Sequence, residues 1–176
     1  SLESGNKEIL KMMNKNIEVD AFYTTVYVLR EAGIIVDTSV IFGYPIETKE
    51  TIKETFDQCF KAGIYPSIGF LLPLPYTVMY DYAKANGFIT DEDRYLDSIT
   101  ERQDICVNMT KLSDKEILDE IKIGAAKLND MLKLGLTEET YIKTKGYKTS
   151  KKFFEKEKHR LDPKKIKRIK NDVSFN

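Results

Sequence analysis

The stretch "DTSVIFGYPIETKET", residues 37–51, decides how the rest of the chain is read. It opens as a short apolar run, breaks at Gly43-Tyr44-Pro45, and restarts as a charged, helix-forming segment. The run "IIVDTSVIF" is rich in β-branched residues and too short for an isolated helix. It predicts a buried strand from about Ile34 to Phe42. Beyond the break, Thr48 is placed to cap a helix and Glu50 is favourable in its first turn. Ile52, Phe56, Cys59 and Phe60 then recur at helical spacing until Gly63 closes the helix. Such a strand-turn-helix joint is either plain scaffolding or the rim of a site. In parallel α/β folds, ligands gather where strands end and helices begin.

Upstream, "NKEILKMMNKN" makes a short amphipathic turn or two. Phe22, Val26 and Leu29 form one stripe of a helix from about Glu18 to Ala32, which Gly33 ends. Downstream, "YPSIGFLL" (65–72) predicts a second strand broken by Pro73 and Pro75, then a helix from about Thr77 to Asn86 ending at Gly87. Helix, strand, helix, strand, helix is the alternation of a parallel sheet. Two such strands need neighbours and cover on both faces, so the first half reads as an arc of something larger. From Thr90 to Thr110 the sequence turns polar and mixed. "SDKE" at 113–116 is a capping box, and Ile117, Ile121, Leu128 and Leu132 carry a long helix towards Gly135. Asp162-Pro163 suits the start of a last helix.

The 176 residues suffice for a domain of ordinary size, with 41 % apolar and 32 % charged residues. The formal net charge is zero, so the whole molecule exerts no strong pull on nucleic acid or anionic lipid. No apolar run reaches the roughly 20 residues of a membrane span, and the N-terminus has no signal-peptide pattern. Cys59 and Cys106 form no CxxC pair, which suggests a reducing, cytoplasmic setting. The lone histidine, His159, sits among charges near the C-terminus, where solvent is its expected surrounding. A histidine-based triad or metal site therefore has no support. Walker-type and dinucleotide-binding glycine loops are absent.

What remains is the strand-end turns. Ser39, Ile41 and Gly43 share one strand face, with Ile41 as an apolar shelf and Gly43 open to close approach by a flat ligand. At the second turn Pro73 and Pro75 donate no N–H, while Leu72 keeps both main-chain groups. The plain alternative is that glycine and prolines merely stop two strands.

"ESGNKEILKMMNKN", "VLREAGIIVDTSVIFGYPIETKETIKETF" and "GFLLPLPYTVMYDYAKANGFI" resemble, in order, the C-terminal half of a radical S-adenosylmethionine enzyme barrel. The likeness is to the branch whose members often carry a cobalamin-binding domain ahead of the barrel. It spans roughly residues 3–110. In that family the fourth strand ends in Glu-Ser-Gly-Asn or similar, the fifth in Gly-Phe/Tyr-Pro-Gly-Glu-Thr, and the sixth leads into Pro-Leu-Pro-Gly-Thr-Pro-Met-Tyr. The resemblance implies an α/β fold: a half TIM-like barrel over residues 1–110 and a helical extension with a basic tail over 111–176. It implies that Glu3 and Ser4 meet the ribose and amino-acid part of S-adenosylmethionine, that Ile41 and Gly43 pack on its adenine, and that Leu72 and Pro73 border the adenine. The cofactors implied for the whole enzyme are S-adenosylmethionine and a [4Fe–4S] cluster, with cobalamin as a further candidate.

This sequence departs from the pattern. Ile46 and Tyr76 stand where the family usually has Gly, Val78 where it has Pro, and Ser39 where it often has Gly. The cluster-binding CxxxCxxC is absent. Cys59, on an apolar helix face, is expected in the core, and Cys106 has no partner nearby in sequence. The expectation is a fragment of a longer protein that binds no cofactor and cleaves no S-adenosylmethionine alone. The competing reading is a non-catalytic α/β interaction module derived from the same fold. The partners expected are the missing N-terminal half of the barrel, or a second copy pairing through a bare strand edge. The helix after Ser113 is expected to cover the exposed surface. The lysine-rich segment after Lys143 is read as a solvated face, with RNA contact as the sharper alternative.

Overall fold

The computed structural model describes residues 1–99 and 102–142. The basic tail, His159 and the helix expected at Asp162-Pro163 lie outside them. The element order is α1 (Lys7–Met12), α2 (Val19–Glu31), β1 (Ser39–Phe42), α3 (Lys49–Ala62), β2 (Ser67–Phe70), α4 (Val78–Ala85), α5 (Glu92–Ser98) and α6 (Asp114–Leu132), then a 3-10 turn at Glu138–Thr140.

The fold is mixed α/β. Strands β1 and β2 pair in parallel, Ser39 opposite Ser67 through Phe42 opposite Phe70, with α3 as the crossover between them. On the far side of β1, Glu3 makes a parallel bridge with Val40. Its N–H donates to Ser39 O (3.0 Å) and its O accepts from Ile41 N–H (2.9 Å). Three parallel passes therefore lie side by side, the 2–4 segment, β1 and β2, and their C-terminal ends point the same way. At the outer edge of β2, Phe70 N–H donates to Arg102 O (2.6 Å).

The two sheet faces differ. Val40, Phe42, Ile68 and Phe70 are buried against α3 and α6, together with Ile52, Phe56, Cys59, Ile117, Ile121 and Leu128. Burying side chains of this size contributes roughly 1.5–3 kcal/mol each. The rings of Phe42 and Phe56 stack at 5.8 Å between centroids. The opposite face of β1, with Ser39, Ile41 and Gly43, stays only half-buried. Cys59 is a core residue, fully buried, and burial pushes its thiol pKa up.

Helix boundaries follow local chemistry closely. The Thr48 hydroxyl accepts from Thr51 N–H, and Gly63 ends α3 in the left-handed conformation (φ 57°). The box at Ser113 and Glu116 forms as the sequence predicts. Three boundaries differ. The first strand starts at Ser39, not Ile34, and Ile34 and Ile35 are half-exposed. Ile34 N–H is taken by Leu29 O at the end of α2, and the bonds to the second strand begin only at Ser67 N–H to Thr38 O (2.8 Å). The polar stretch after Thr90 contains α5, capped by Asp91, whose Tyr95 turns into a second small core with Tyr80, Ala83, Ile89 and Met109. Finally, α6 ends at Leu132 ahead of Gly135: Lys133 turns left-handed (φ 53°), Leu134 N–H returns to Asn129 O (3.1 Å), and Asn129 Oδ1 accepts from Leu136 N–H (2.8 Å).

The long helix does not cover the open sheet face either. It lies on the helical side against α3, where a Cβ on Gly124 would come within 2.4 Å of the Phe56 ring. Gly124→Ala is expected to push the two helices apart and cost about 2 kcal/mol. A urea titration checks this: the midpoint should fall with the slope unchanged. A midpoint equal to that of the parent would refute the packing argument.

Candidate functional site

The parallel arrangement brings all six sequence-predicted site residues to one end of the sheet. Glu3 and Ser4 end the first pass, Ile41 and Gly43 the second, Leu72 and Pro73 the third. Their environments separate them.

Glu3 holds a left-handed backbone (φ 60°), which costs a non-glycine residue about 1–2 kcal/mol. It is fixed there by the two bonds to β1. Its carboxylate is largely covered, and Lys15 pairs with it at 3.4 Å. Tyr44 is buried close by. Burial, and secondarily the Glu3 charge, raise its phenol pKa. Ser4 turns the other way. It is buried, and its hydroxyl lies 3.5 Å from Thr55 Oγ1 and accepts from Asn6 N–H at 3.2 Å. Its side chain serves the contact with α3, leaving its main chain to the strand ends.

Gly5 is the tightest point of this motif. A Cβ there would meet Glu54 O at 2.5 Å. Its N–H donates to Thr55 Oγ1 (2.9 Å), whereas a regular ladder would bring it to the carbonyl of Ile41. The first pass thus peels off towards α3 and leaves the Ile41 carbonyl facing the gap. Gly43 has φ 99°, and a Cβ built on it would meet nothing nearer than Leu71 at 3.8 Å. Only glycine adopts that backbone readily, and the space above it is open. Leu72 is half-buried. Pro73 is buried, and its carbonyl accepts from Tyr95 O–H at 2.7 Å. The α4–α5 unit therefore holds the third tip in place, a role invisible in the polar sequence of α5.

Sequence reasoning passed over Glu47. It is only 2 % exposed, its carboxylate accepts from Gly43 N–H (3.2 Å) and from the Thr51 hydroxyl, and its own N–H closes the turn onto Tyr44 O (2.8 Å). Burial lifts its pKa from 4.5 to about 7, against the opposing pull of Thr51 and Gly43. The available signal was an acid just ahead of the Thr48 cap with Thr51 four residues on. Its burial depends on the fold.

The departures from the family pattern also separate. Ile46, Tyr76 and Val78 are all exposed, and none fills the space beside Gly43. Tyr76 adopts φ 67°, a conformation that favours glycine, and Ile46 does not. The loop keeps a glycine-type backbone where the resemblance expects glycine.

The open face offers a flat apolar ligand the Ile41 side chain, the bare Gly43 and the tip at Leu72, with the Ile41 carbonyl as acceptor. Nothing comparable exists for a metal: among the described residues no three His, Cys, Asp or Glu side chains gather to hold one. A scan against protein-family models finds no match, and neither does a search of curated proteins. No helix among the described residues is long and apolar enough to cross a membrane.

Two outcomes follow. Because the folded chain keeps a proton on Glu47 between pH 4.5 and about 7 and the unfolded chain does not, this group's stabilisation is complete below the lower value. It is lost as pH rises through the upper one, by about 3 kcal/mol in total. Glu47→Gln should flatten that fall, seen as the difference between variant and parent urea midpoints from about pH 4 to 8. Parallel curves would refute it. Tyr76→Gly, which removes an exposed side chain from a left-handed position, should stabilise by up to about 1 kcal/mol despite the entropy glycine adds to the unfolded chain. Thermal melts read this directly.

Proposed function

We propose that the three strand ends form one wall of an adenosine pocket for S-adenosylmethionine, in a radical S-adenosylmethionine enzyme whose partial barrel this chain contributes to. The observation that carries the reading is the convergence of the three resembling motifs. Segments far apart in sequence end side by side, with an open glycine and a half-buried Ile41 between them. In this reading adenine lies on Ile41 and over Gly43, Leu72 and Pro73 border it, and the Glu3–Ser4 end faces the ribose and amino-acid part. Tyr95 and Glu47 are positioning residues: one holds the Pro73 tip, the other the Gly43 turn.

The adenosine moiety fits what is present. The [4Fe–4S] cluster does not fit the described residues. Cys59 is sealed in the core, and no CxxxCxxC occurs anywhere in the 176 residues. The cluster, and cobalamin where it takes part, would be held by other parts of the enzyme, and no reaction step is assigned to this chain. Its own work would be to bind and orient the nucleoside. The half-buried sheet face is where the remainder of the barrel would close.

S-adenosylhomocysteine titrated into isotope-labelled chain should shift the amide resonances of Ile41, Gly43 and Leu72 in a saturable way, and Ile41→Lys should weaken the effect at least tenfold, through lost apolar contact and an added charge. Shifts confined to other surfaces, or none at millimolar nucleoside, would rule the reading out.

A further inference from the structure

The zero net charge conceals a division along the chain. Residues 1–142 carry 24 acidic against 15 basic side chains, and residues 143–176 carry 13 basic against 4 acidic. Each part therefore has nine charges in excess, of opposite sign. Two oppositely charged parts on one polypeptide meet at high effective concentration.

The folded part has a surface suited to receive such a segment. A cleft of about 530 Å³ between α1, α2 and α3 carries the carboxylates of Asp20, Glu54 and Asp57 on its walls. A second, of about 420 Å³, lies between α2 and the ends of α3 and α6, and is walled by Tyr23, Tyr27 and Met131. Phe60 and Lys61 line both, so the two form one trough, acidic at one end and aromatic at the other. The Tyr23 and Tyr27 rings stack at 6.4 Å and stay about half-exposed. The basic side chains of the trough are Lys7, which pairs with Asp20 at 3.4 Å, Lys61, and Arg30, which donates to the α3 end at Ala62 O (2.6 Å) and Gly63 O (3.0 Å).

The described chain ends beside this trough. Tyr65, two residues after Gly63, donates its hydroxyl to Tyr141 O (2.7 Å), and Ile142 packs on the main core. From there the ten or so residues to Phe153 can span roughly 33 Å when extended. That exceeds the roughly 21 Å length of a fourteen-residue helix such as α3. Phe153 and Phe154 are flanked by Lys151, Lys152 and Lys156, an aromatic pair among cations to match an aromatic floor beside carboxylates.

We propose that residues 143–176 dock in this trough of their own chain, with Phe153 and Phe154 on Phe60, Tyr23 and Tyr27 and the flanking lysines over Asp20, Glu54 and Asp57. Exposed ion pairs are individually weak and salt-screened, so the aromatic contact supplies most of the affinity and the charges set the register. The trough lies on the helical side, away from the open sheet face, so docking leaves the proposed nucleoside wall free. It does not depend on that reading.

The test places a benzophenone photocrosslinker at Phe153 of the full chain and maps products by mass spectrometry. Intrachain links to residues 19–31 or 54–61 are expected. Glu54→Lys with Asp57→Lys should cut their yield about fivefold, and Lys151→Glu with Lys152→Glu in that background should restore it. Circular dichroism confirms that each variant is folded. Links between chains, links to the Ile41–Pro45 rim, or a yield indifferent to the charge reversals would overturn the proposal. So would loss of the crosslink to stoichiometric RNA at physiological salt, which would make the segment a nucleic-acid ligand.

Discussion

The structure depends on one interaction, the parallel pairing of β1 on both of its edges. A parallel strand has no tight turn to hold it against its neighbour, so pairing survives only if a crossover helix returns the chain over an apolar face. Here α3 does this. Phe56, Cys59 and Ile52 lie on Val40, Phe42, Ile68 and Phe70, and the helix starts and stops where Thr48 and Gly63 dictate. The same helix draws in the first pass: Gly5 presses on the Glu54–Thr55 backbone, and the Thr55 hydroxyl accepts its N–H. One helix thus sets the register of all three strand ends, and the candidate site is a consequence of where it packs.

Much of this was legible in the sequence, for reasons that are local. Thr48, Gly63, Ser113 and Glu116 announce helix ends because capping needs only neighbours within one turn. The alternation of elements announced a parallel sheet because crossovers impose it. What failed to show was non-local. Ile34 and Ile35 look like strand, but a strand extends only as far as its partner, and the pairing with β2 starts at Ser39 opposite Ser67. Helix α5 hides because its one buried residue, Tyr95, is useful only through a core and a carbonyl supplied from elsewhere. Of the six candidate residues, position along the strands was readable and side-chain direction was not. Ser4 proves to face α3, since the left-handed turn at Glu3 breaks the alternation on which such readings rely.

The strand ends also show how buried polar groups are handled when a rim is left open. Glu3 and Glu47 are both shielded carboxylates, stabilised differently. Glu3 has a lysine beside it at the surface. Glu47 instead has Gly43 N–H and the Thr51 hydroxyl, and burial raises its pKa against their pull. Two hydrogen bonds recover part of the cost of burying a charge but not all of it. The arrangement makes sense if what matters is the turn itself. Glycine at 43 leaves the backbone exposed and conformationally free, and a carboxyl from behind is the least bulky way to fix its N–H without covering its front.

The sheet face turned away from α3 is covered unevenly: the Arg102 side chain lies over Gly69, while Ile41 and Gly43 stay half-buried. A sheet of this kind ordinarily buries both faces, because each side chain left in water forgoes stabilisation its neighbours have gained. α6 is long and apolar enough on one side to serve as cover, yet Gly124 docks it on Phe56 on the face that α3 already protects. The loop at 74–78 bears exposed Leu74, Tyr76 and Val78, and none of them comes within 4 Å of a Cβ built on Gly43. Tyr76 meanwhile accepts a strained backbone rather than a relaxed one. A chain that stacks its helices on one side of the sheet leaves the other to a half-buried Ile41, an open Gly43 and the Arg102 side chain over Gly69, while the left-handed Tyr76 stays wholly exposed in its loop.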